Sequence, residues 1–401
     1  MGSAIGSHSL SHRAPTLRSS TMIFLDYNST TPLSDSVLAA MTPWFQNSFF
    51  NPSSTHGGGR EAAAAVERSE AELLELVGCR SGRAVFTSGA TESINLALRG
   101  GSTPNAASVD SLITFAAEHQ AVLDTAEALA TSGLKVDVLP VGRDAEPNLD
   151  ALHEGLDQSG RALVSVMAVN NEIGTISELS AIGEMCRAAG ALLHVDGSQA
   201  LGKLQLSMDD YGIDLLSISA HKAYGPKGSG ALIVRRGVEL EPMMLGGGHQ
   251  GGIRSGTINV PGVVGLAAAA VESCAFMGTE GQRQSSLISQ LVASFRRTLD
   301  GVEVLGKLDS GRIFNTVNLR FDGADAEAVM ANAPAVAISS GSACSSRIPA
   351  PSHVLLAMGL GVDDAEQCLR FSVGRPTVAS DVDDAVEQIS AAVRRVREMM
   401  S

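Results

Sequence analysis

The sequence predicts an α/β protein, with a mostly parallel seven-stranded sheet in a large domain and a second, smaller α+β domain. Short apolar runs recur up to about residue 236, and stretches with helical periodicity lie between several of them. Strands that alternate with helices indicate crossover connections and a parallel sheet covered on both faces. After about residue 276 the pattern changes to a long helical stretch, one strand-like run and a closing amphipathic helix. That change predicts the second domain.

The individual elements follow in chain order. MIFLDY, beginning at Met22, has the pattern of a short strand. Seven longer runs have the apolar character of buried strands, and they cover residues 84–88, 111–116, 135–141, 162–169, 191–196, 214–220 and 230–236. The predicted amphipathic helices cover 121–133, 177–190, 282–301 and 382–400. One further strand, TVNLRF, is predicted at 316–321.

The predicted domain division has three parts. Residues 1–21 are rich in Ser, His and Gly and lack the apolar segment of a secretory signal, so we interpret them as a disordered leader or tag. Their Arg- and Ser-rich, acid-free composition leaves a transit peptide as the alternative. Residues 30–275 form the predicted large domain, and residues 22–29 together with 276–401 form the predicted small domain.

Composition excludes several classes of protein. The 401 residues carry 29 Lys and Arg against 43 Asp and Glu, a net charge of −14, which disfavours direct binding of nucleic acid or of an anionic membrane surface. No uninterrupted apolar run approaches the roughly 18 residues of a membrane span. The five cysteines include no CxxC pair, which fits neither a disulfide framework nor a metal site. We therefore expect a soluble protein of a reducing compartment, the cytoplasm, without a metal.

Three features at predicted strand ends suggest a cofactor site. Ser88 to Glu92 (SGATE) could form an anion cradle at a helix start, although a capping box is the plain alternative. Asp196 closes a buried strand, where it could also be a simple cap. Lys222 follows another buried strand and is one of only five lysines; a desolvated lysine can form a Schiff base, whereas most lysines lie in surface loops. An amine, an acid and a phosphate cradle together are what pyridoxal phosphate requires.

Longer motifs support this interpretation, and through them the chain resembles the cysteine desulfurases of the class V aminotransferase family, which are fold type I pyridoxal-phosphate enzymes. The resemblance runs from Phe24 to about Arg395. The segments that carry it are LDYNSTTP (25–32), NPSSTHGGGREA (51–62), FTSGATESINLAL (86–98), AEHQAVLD (117–124), VNNEIGT (169–175), HVDGSQALGK (194–203), SISAHKAYGPKGSGAL (217–232), GGGHQGGIRSGT (246–257), SSGSACSS (339–346) and LRFSVGR (369–375).

The resemblance implies a role for each matching residue. Lys222 would hold the cofactor covalently and shuttle a proton, Asp196 would pair with the pyridinium nitrogen, and His119 would stack on the ring, although from its position alone His119 could equally be a helix cap. Arg370 would bind the substrate carboxylate with its two-pronged guanidinium. Asn171, which would also lie near the substrate, and Gln199 would bind the ring hydroxyl oxygen of the cofactor. The phosphate would be bound by Ala90, Thr91, Ser219 and His221. Thr257 would bind the phosphate of the neighbouring subunit, which implies a homodimer.

Cys344 decides which reaction the resemblance implies. It follows a Ser- and Gly-rich stretch, which could be a plain linker with a buried thiol or a segment that carries a nucleophile into and out of a site. The family would use this thiolate to take sulfur from L-cysteine, leaving alanine and a persulfide. The residues after it, SSRIPAPS (345–352), resemble the long loop of the family's first group, which implies delivery to an acceptor protein. Cys79, Cys186, Cys274 and Cys368 have the pattern of core residues.

Three functions remain open at this point. The first is a cysteine desulfurase. The second is a selenocysteine lyase or another class V enzyme, such as a true aminotransferase, and the third is a non-catalytic scaffold of the same fold. For the first, the sulfur's destination could be iron–sulfur clusters, tRNA, DNA or a thio-natural product.

Overall fold

A computed structural model describes residues 22–102, 109–307, 311–341 and 351–400. Twelve strands lie in these ranges: β1 (Ile23–Phe24), β2 (Gly82–Thr87), β3 (Ser111–Phe115), β4 (Lys135–Leu139), β5 (Ala162–Met167), β6 (Leu192–Asp196), β7 (Leu215–Ser219), β8 (Gly230–Arg235), β9 (Val302–Leu305), β10 (Thr316–Phe321), β11 (Val336–Ala337) and β12 (Cys368–Ser372). The α-helices in the same ranges are α1 (Asp35–Met41), α2 (Pro43–Gln46), α3 (Gly57–Leu76), α4 (Ala90–Gly101), α5 (Gln120–Thr131), α6 (Leu149–Asp157), α7 (Leu179–Ala189), α8 (Met208–Tyr211), α9 (Val260–Thr298), α10 (Ala326–Asn332), α11 (His353–Ala357), α12 (Val362–Ala365) and α13 (Ala379–Met400).

The seven strands predicted from apolar runs form one sheet in the order β2-β8-β7-β6-β5-β3-β4. The prediction of burial is wrong for β4, which lies at the edge of the sheet with no buried residue. All neighbouring pairs are parallel except the two that involve β8. Only the ten residues 220–229 connect β7 to β8, which is too short for a crossover helix, so the chain turns back antiparallel. The predicted fold class is confirmed, with one reversed strand.

Helices cover both faces of this sheet. Successive residues of a strand point to opposite faces, and the core divides accordingly. In β7, Leu215 belongs to the apolar cluster around α4 and α5, whereas Leu216 and Ile218 belong to the cluster around α3 and α7. Every residue of β3, β5, β6 and β7 is buried. The strand ends are therefore the points where polar side chains can reach a cavity.

A second sheet has the antiparallel order β12-β10-β9, and beside it β1 pairs in parallel with β11. Three phenylalanines form the centre of its core: Phe295 lies 5.2 Å from Phe321 and 5.4 Å from Phe371 between ring centroids. Ile23 pairs with Val336 across about 300 residues of chain. The N-terminal segment is thus tied to an element far along the sequence.

Helix α9 is 39 residues long and contains the predicted domain boundary between residues 275 and 276. By length and composition alone this helix could cross a membrane. However, half of its most apolar 18-residue stretch is buried inside the protein, and the helix packs on α1, α3 and α13. A buried core helix can have the same length and apolar composition, so these properties of α9 are only weak evidence for a membrane span. The predicted domain limits stay a prediction, and residues 1–21 lie outside the described residues.

Candidate active site

One cavity of about 690 Å³ lies at the carboxyl ends of the parallel strands, where the second sheet approaches the first. In open α/β sheets this is the edge at which ligands bind. Ten of the twelve residues singled out from the sequence line it: Ala90, Thr91, His119, Asn171, Asp196, Gln199, Ser219, His221, Lys222 and Arg370. Residues up to 280 positions apart in the chain therefore meet in one place.

Lys222 ends a short 3₁₀ turn, Ala220–Lys222, that follows directly on β7. Its Nζ donates to the carbonyl oxygens of Asn28, at 2.6 Å, and of Ser29, at 2.8 Å. The amine is thus anchored at the cavity wall by main-chain acceptors from the N-terminal segment. Lys222 is partly buried, which sets it apart from a surface loop lysine.

Asp196 is the last residue of β6 and is 6% exposed. Its Oδ1 accepts from the backbone N–H of Ser198 at 2.9 Å, which fixes the carboxylate at the strand end. Among the described residues none donates a hydrogen bond to its Oδ2. Asp196 therefore caps the turn after β6 through Oδ1, while its Oδ2 remains available to a ligand in the cavity.

His119 is the N-cap of α5, because its Nδ1 accepts from the backbone N–H of Ala121 at 3.0 Å. Burial lowers the pKa of His119; the nearby Lys222 also lowers it, while Asp196 opposes the change. The ring is thus neutral at neutral pH, with its proton on Nε2. His119 therefore caps α5 and also lines the cavity, so both interpretations from the sequence are compatible with the structure.

The anion cradle lies at the N-terminus of α4. Its N-cap is Gly89, whose φ of 154° and ψ of −178° belong to a region open almost only to glycine. A Cβ built on Gly89 would meet nothing within 4 Å, so the space beside the helix start is open. Glu92 accepts from the backbone N–H of Ser88 at 2.6 Å, but Ser88 precedes the N-cap and Gly89 has no side chain, so no capping box forms. The helix amides and dipole thus face open space, as an anion site requires.

These features satisfy the requirements of pyridoxal phosphate. The cavity offers an anchored amine on Lys222, a carboxylate oxygen of Asp196 to which no described residue donates, and an open helix N-terminus at Gly89. Ser219 and His221 line the wall next to Lys222. The amine, the carboxylate and the helix N-terminus are the groups that bind the aldehyde, the ring nitrogen and the phosphate of this cofactor.

Arg370 reaches the cavity from β12 of the second sheet. Its Nη2 donates to Oδ1 of Asp26 at 2.6 Å and its Nη1 donates to the carbonyl oxygen of Asn171 at 3.0 Å. The remaining Nε is buried, and no residue that the structure describes accepts a hydrogen bond from it. Sequence reasoning assigned no role to Asp26, although LDYNSTTP was among the matching segments. An acidic residue within a matching segment was the available signal.

Glu172 is a second residue that sequence reasoning missed. It is 3% exposed, and its Oε2 accepts from Oγ of Ser352 at 2.5 Å. A Cβ on Gly341 would come within 2.5 Å of the same oxygen. Burial raises the pKa of Glu172. This carboxylate therefore touches the chain on both sides of residues 342–350, which lie outside the described residues and include Cys344.

Two of the residues predicted from the sequence need separate mention, because one lies away from the cavity lining and the other is not described by the structure. Thr257 is exposed and is not among the lining residues. Cys344 lies outside the described residues. Of the other four cysteines, Cys79, Cys186 and Cys368 are buried as expected and Cys274 is half-buried.

Burial raises the pKa of all four of these thiols, to about 12 for Cys186 and Cys368. Only the thiolate is an effective nucleophile. These four cysteines are therefore unsuited to nucleophilic chemistry at neutral pH.

Comparison with known proteins adds to this geometry. The family model "Aminotransferase class-V" matches residues 23–385. A curated relative, cysteine desulfurase IscS of Anaeromyxobacter sp. (strain Fw109-5), is 42% identical over 380 residues, which cover 94% of each chain.

Solved structures agree with the family match. A NifS-like protein superimposes with a TM-score of 0.85 at 31% identity, covering 93% of this chain and 100% of the other. SspA in complex with cysteine superimposes with a TM-score of 0.75 at 31% identity, covering 88% of this chain and 99% of the other.

Proposed function

We propose that the chain, which belongs to the class-V aminotransferase family, is a pyridoxal-phosphate-dependent cysteine desulfurase that converts L-cysteine to L-alanine. The observation that carries this proposal is the meeting of Lys222, Asp196, His119 and Arg370 in one cavity. Relatives that are named cysteine desulfurase, at about 40% identity over 94% of the chain, support it. The solved relative that holds cysteine supports this amino acid as the substrate.

The protein's own residues supply binding and proton transfer. Lys222 would hold the cofactor through Nζ and then move the substrate Cα proton, while Asp196 would keep the cofactor's ring nitrogen protonated. When bound, the cofactor supplies an electron-accepting ring that stabilises negative charge at the substrate Cα. Arg370, held by Asp26, would orient the substrate carboxylate.

The sulfur step is assigned to Cys344. Its thiolate sulfur bonds to the substrate sulfur, the substrate Cβ–S bond breaks, and the electron pair stays on carbon, which takes up protons to give alanine. Cys344 is left as a persulfide, and no external oxidant or reductant is needed. The raised pKa values of Cys79, Cys186, Cys274 and Cys368 support this choice, because none of them is suited to the step.

A homodimer is the second part of the proposal. Thr257 is exposed on its own subunit, which is compatible with a contact to the phosphate site of a second copy. In the same region Met243, Met244 and Leu245 expose 42%, 47% and 85% of their surfaces. An apolar run of this exposure favours an interface. We further propose that an acceptor protein takes the persulfide sulfur and that the enzyme acts in the cytoplasm without direct nucleic-acid or membrane binding.

The experiment that tests the function is a single turnover of the cofactor-loaded protein with L-cysteine. One alanine per subunit and one added sulfur atom on the peptide containing Cys344 are expected, read by chromatography and mass spectrometry. Pyruvate without alanine, or amino transfer to a keto acid without added sulfur, would contradict a desulfurase. Turnover of selenocysteine but not cysteine would identify a selenocysteine lyase, and no turnover with bound cofactor would favour a scaffold.

The Arg370→Lys variant is expected to lower kcat/KM for L-cysteine about 100-fold, mostly through KM. A lysine has one ammonium group, which cannot bind Asp26 and also grip a carboxylate in two places. The lost charge-assisted bonds are worth roughly 1.5–3 kcal/mol, which corresponds to this factor. Steady-state kinetics measure the change, and the cofactor's affinity is the control. An unchanged KM would show that the substrate carboxylate binds elsewhere.

A further inference from the structure

Gln199 lies in the turn after β6, lines the large cavity and is 6% exposed. Its Nε2 donates to the carbonyl oxygen of Asn28 at 2.9 Å, and its Oε1 accepts from Nζ of Lys203 at 2.9 Å. The same Asn28 carbonyl accepts from Nζ of Lys222 at 2.6 Å. Lys203, Gln199, Asn28 and Lys222 thus form one hydrogen-bonded chain.

Lys203 does not line the large cavity. It lines a smaller one, of about 30 Å³, in which Lys222 also takes part. Its hydrogen bond to a residue of the large cavity is the one to the Gln199 side chain. A second lysine this close to the site has no place in the reaction described above.

The chemistry of the two partners fixes the direction of the Gln199 amide. An ammonium group only donates hydrogen bonds, so the atom next to Lys203 is the amide oxygen. With that oxygen held, the Nε2 group lies on the opposite side, where one of its two hydrogens binds Asn28 and the other is available to the cavity. Loss of the lysine would leave a buried amide oxygen without its donor, which destabilises this orientation of the amide.

We propose that Lys203 is a positioning residue that holds the Gln199 amide with Nε2 toward the cofactor cavity. This inference rests on the proposed function, since the cofactor is what Gln199 would contact. In this role Lys203 acts through its hydrogen bond to Gln199, and it does not line the cavity in which cofactor and substrate would bind.

The charge state of Lys203 sets the conditions for a test. Burial, with Lys222 and Arg370 nearby, lowers the pKa of Lys203 to about 7. The other charged groups at the small cavity are Glu280 and Arg375. At pH 6 the amine is mostly an ammonium group, so the donor-only argument applies there.

The test is a double-mutant cycle at pH 6 on the apoprotein, titrated with pyridoxal phosphate. We expect Lys203→Met and Gln199→Ala each to raise the cofactor's Kd about 10-fold, the factor for one hydrogen bond. The double variant is expected to match Gln199→Ala within about twofold, because coupled residues are not additive. A second readout is the midpoint pH of the change in the absorbance band of the bound cofactor. This midpoint is expected to rise in each single variant and to be the same in the double variant as in Gln199→Ala.

Independent effects on Kd or on this pH midpoint would overturn the inference, as would an unchanged Kd in Lys203→Met. Lys203→Arg keeps a donor-only cation, so its Kd is expected within about threefold of the original protein. A 10-fold weaker Kd in this variant would also overturn the inference, even if Lys203→Met does not fold. Lys135→Met, at an exposed position of the edge strand β4, is the matched control. If the unaltered protein binds no cofactor, the proposed function itself fails, which is a distinct result.

Discussion

Replacing Lys222 with alanine is expected to abolish turnover of L-cysteine, with a residual rate below about one part in 10⁴. A positioned acid or base contributes about 10²–10⁴ to a rate, and Lys222 is also the covalent anchor of the cofactor. Its Nζ is fixed by the carbonyl oxygens of Asn28 and Ser29, so another amine would have to reach the same position. Lys203 is held by Gln199 and cannot do so without breaking that bond. Alanine formation and borohydride trapping of the cofactor on the protein are the measurements.

The control for this variant is Lys135→Ala, which removes an exposed lysine paired with Asp137 and should leave turnover unchanged. Cofactor is still expected to bind Lys222→Ala without a covalent link, because Asp196 and the cradle at Gly89 remain. A variant that keeps more than about one hundredth of the original rate would show that proton transfer belongs to another group.

Replacing Cys344 with alanine is expected to lower sulfide release in the presence of a thiol reductant by at least about 10³-fold, because the covalent sulfur carrier is lost. No other described cysteine can replace it, since the pKa values of Cys186 and Cys368 rise to about 12 and those of Cys79 and Cys274 are also raised. Cofactor binding and the affinity for cysteine should stay unchanged. Sulfide assay, mass spectrometry and the cofactor's absorbance measure these three quantities.

Cys274→Ala is the matched control, because Cys274 is the most accessible of the four described thiols. It should retain both sulfide release and the added sulfur atom. If Cys344→Ala turned over cysteine at the original rate, the persulfide mechanism would be wrong and a different class V reaction would have to be considered.

Much of the large sheet could be predicted from the sequence, because buried parallel strands are continuous apolar runs. The runs at 162–169 and 214–220 became β5 and β7 with ends shifted by one or two residues. Helix α9 was predicted only from residue 282 onward. Its first half is rich in Gly and Ala, which pack closely but give little periodicity.

The site could be predicted only where side chains carry the signal. Asp196 and Lys222 follow apolar strands, so their positions at the sheet edge follow from the parallel topology. The Asn28 carbonyl, which binds both Lys222 and Gln199, leaves no mark in the sequence because every residue has a carbonyl. The Asp26–Arg370 pair joins positions 344 residues apart, and such pairings depend on the finished tertiary structure.

The parallel pairing of β1 with β11 also bears on how the protein is made. Ile23 and Phe24 leave the ribosome early, but their partners Val336 and Ala337 are synthesised about 300 residues later. At roughly 5–20 residues per second, the N-terminal segment waits on the order of 15 to 60 seconds for its strand partner. Asp26 and Asn28 follow directly on this segment, so catalytic competence arrives only near the end of translation. A nascent chain of about 300 residues would therefore contain all seven strands of the large sheet but not the complete site, because β11 and Arg370 are still to be made.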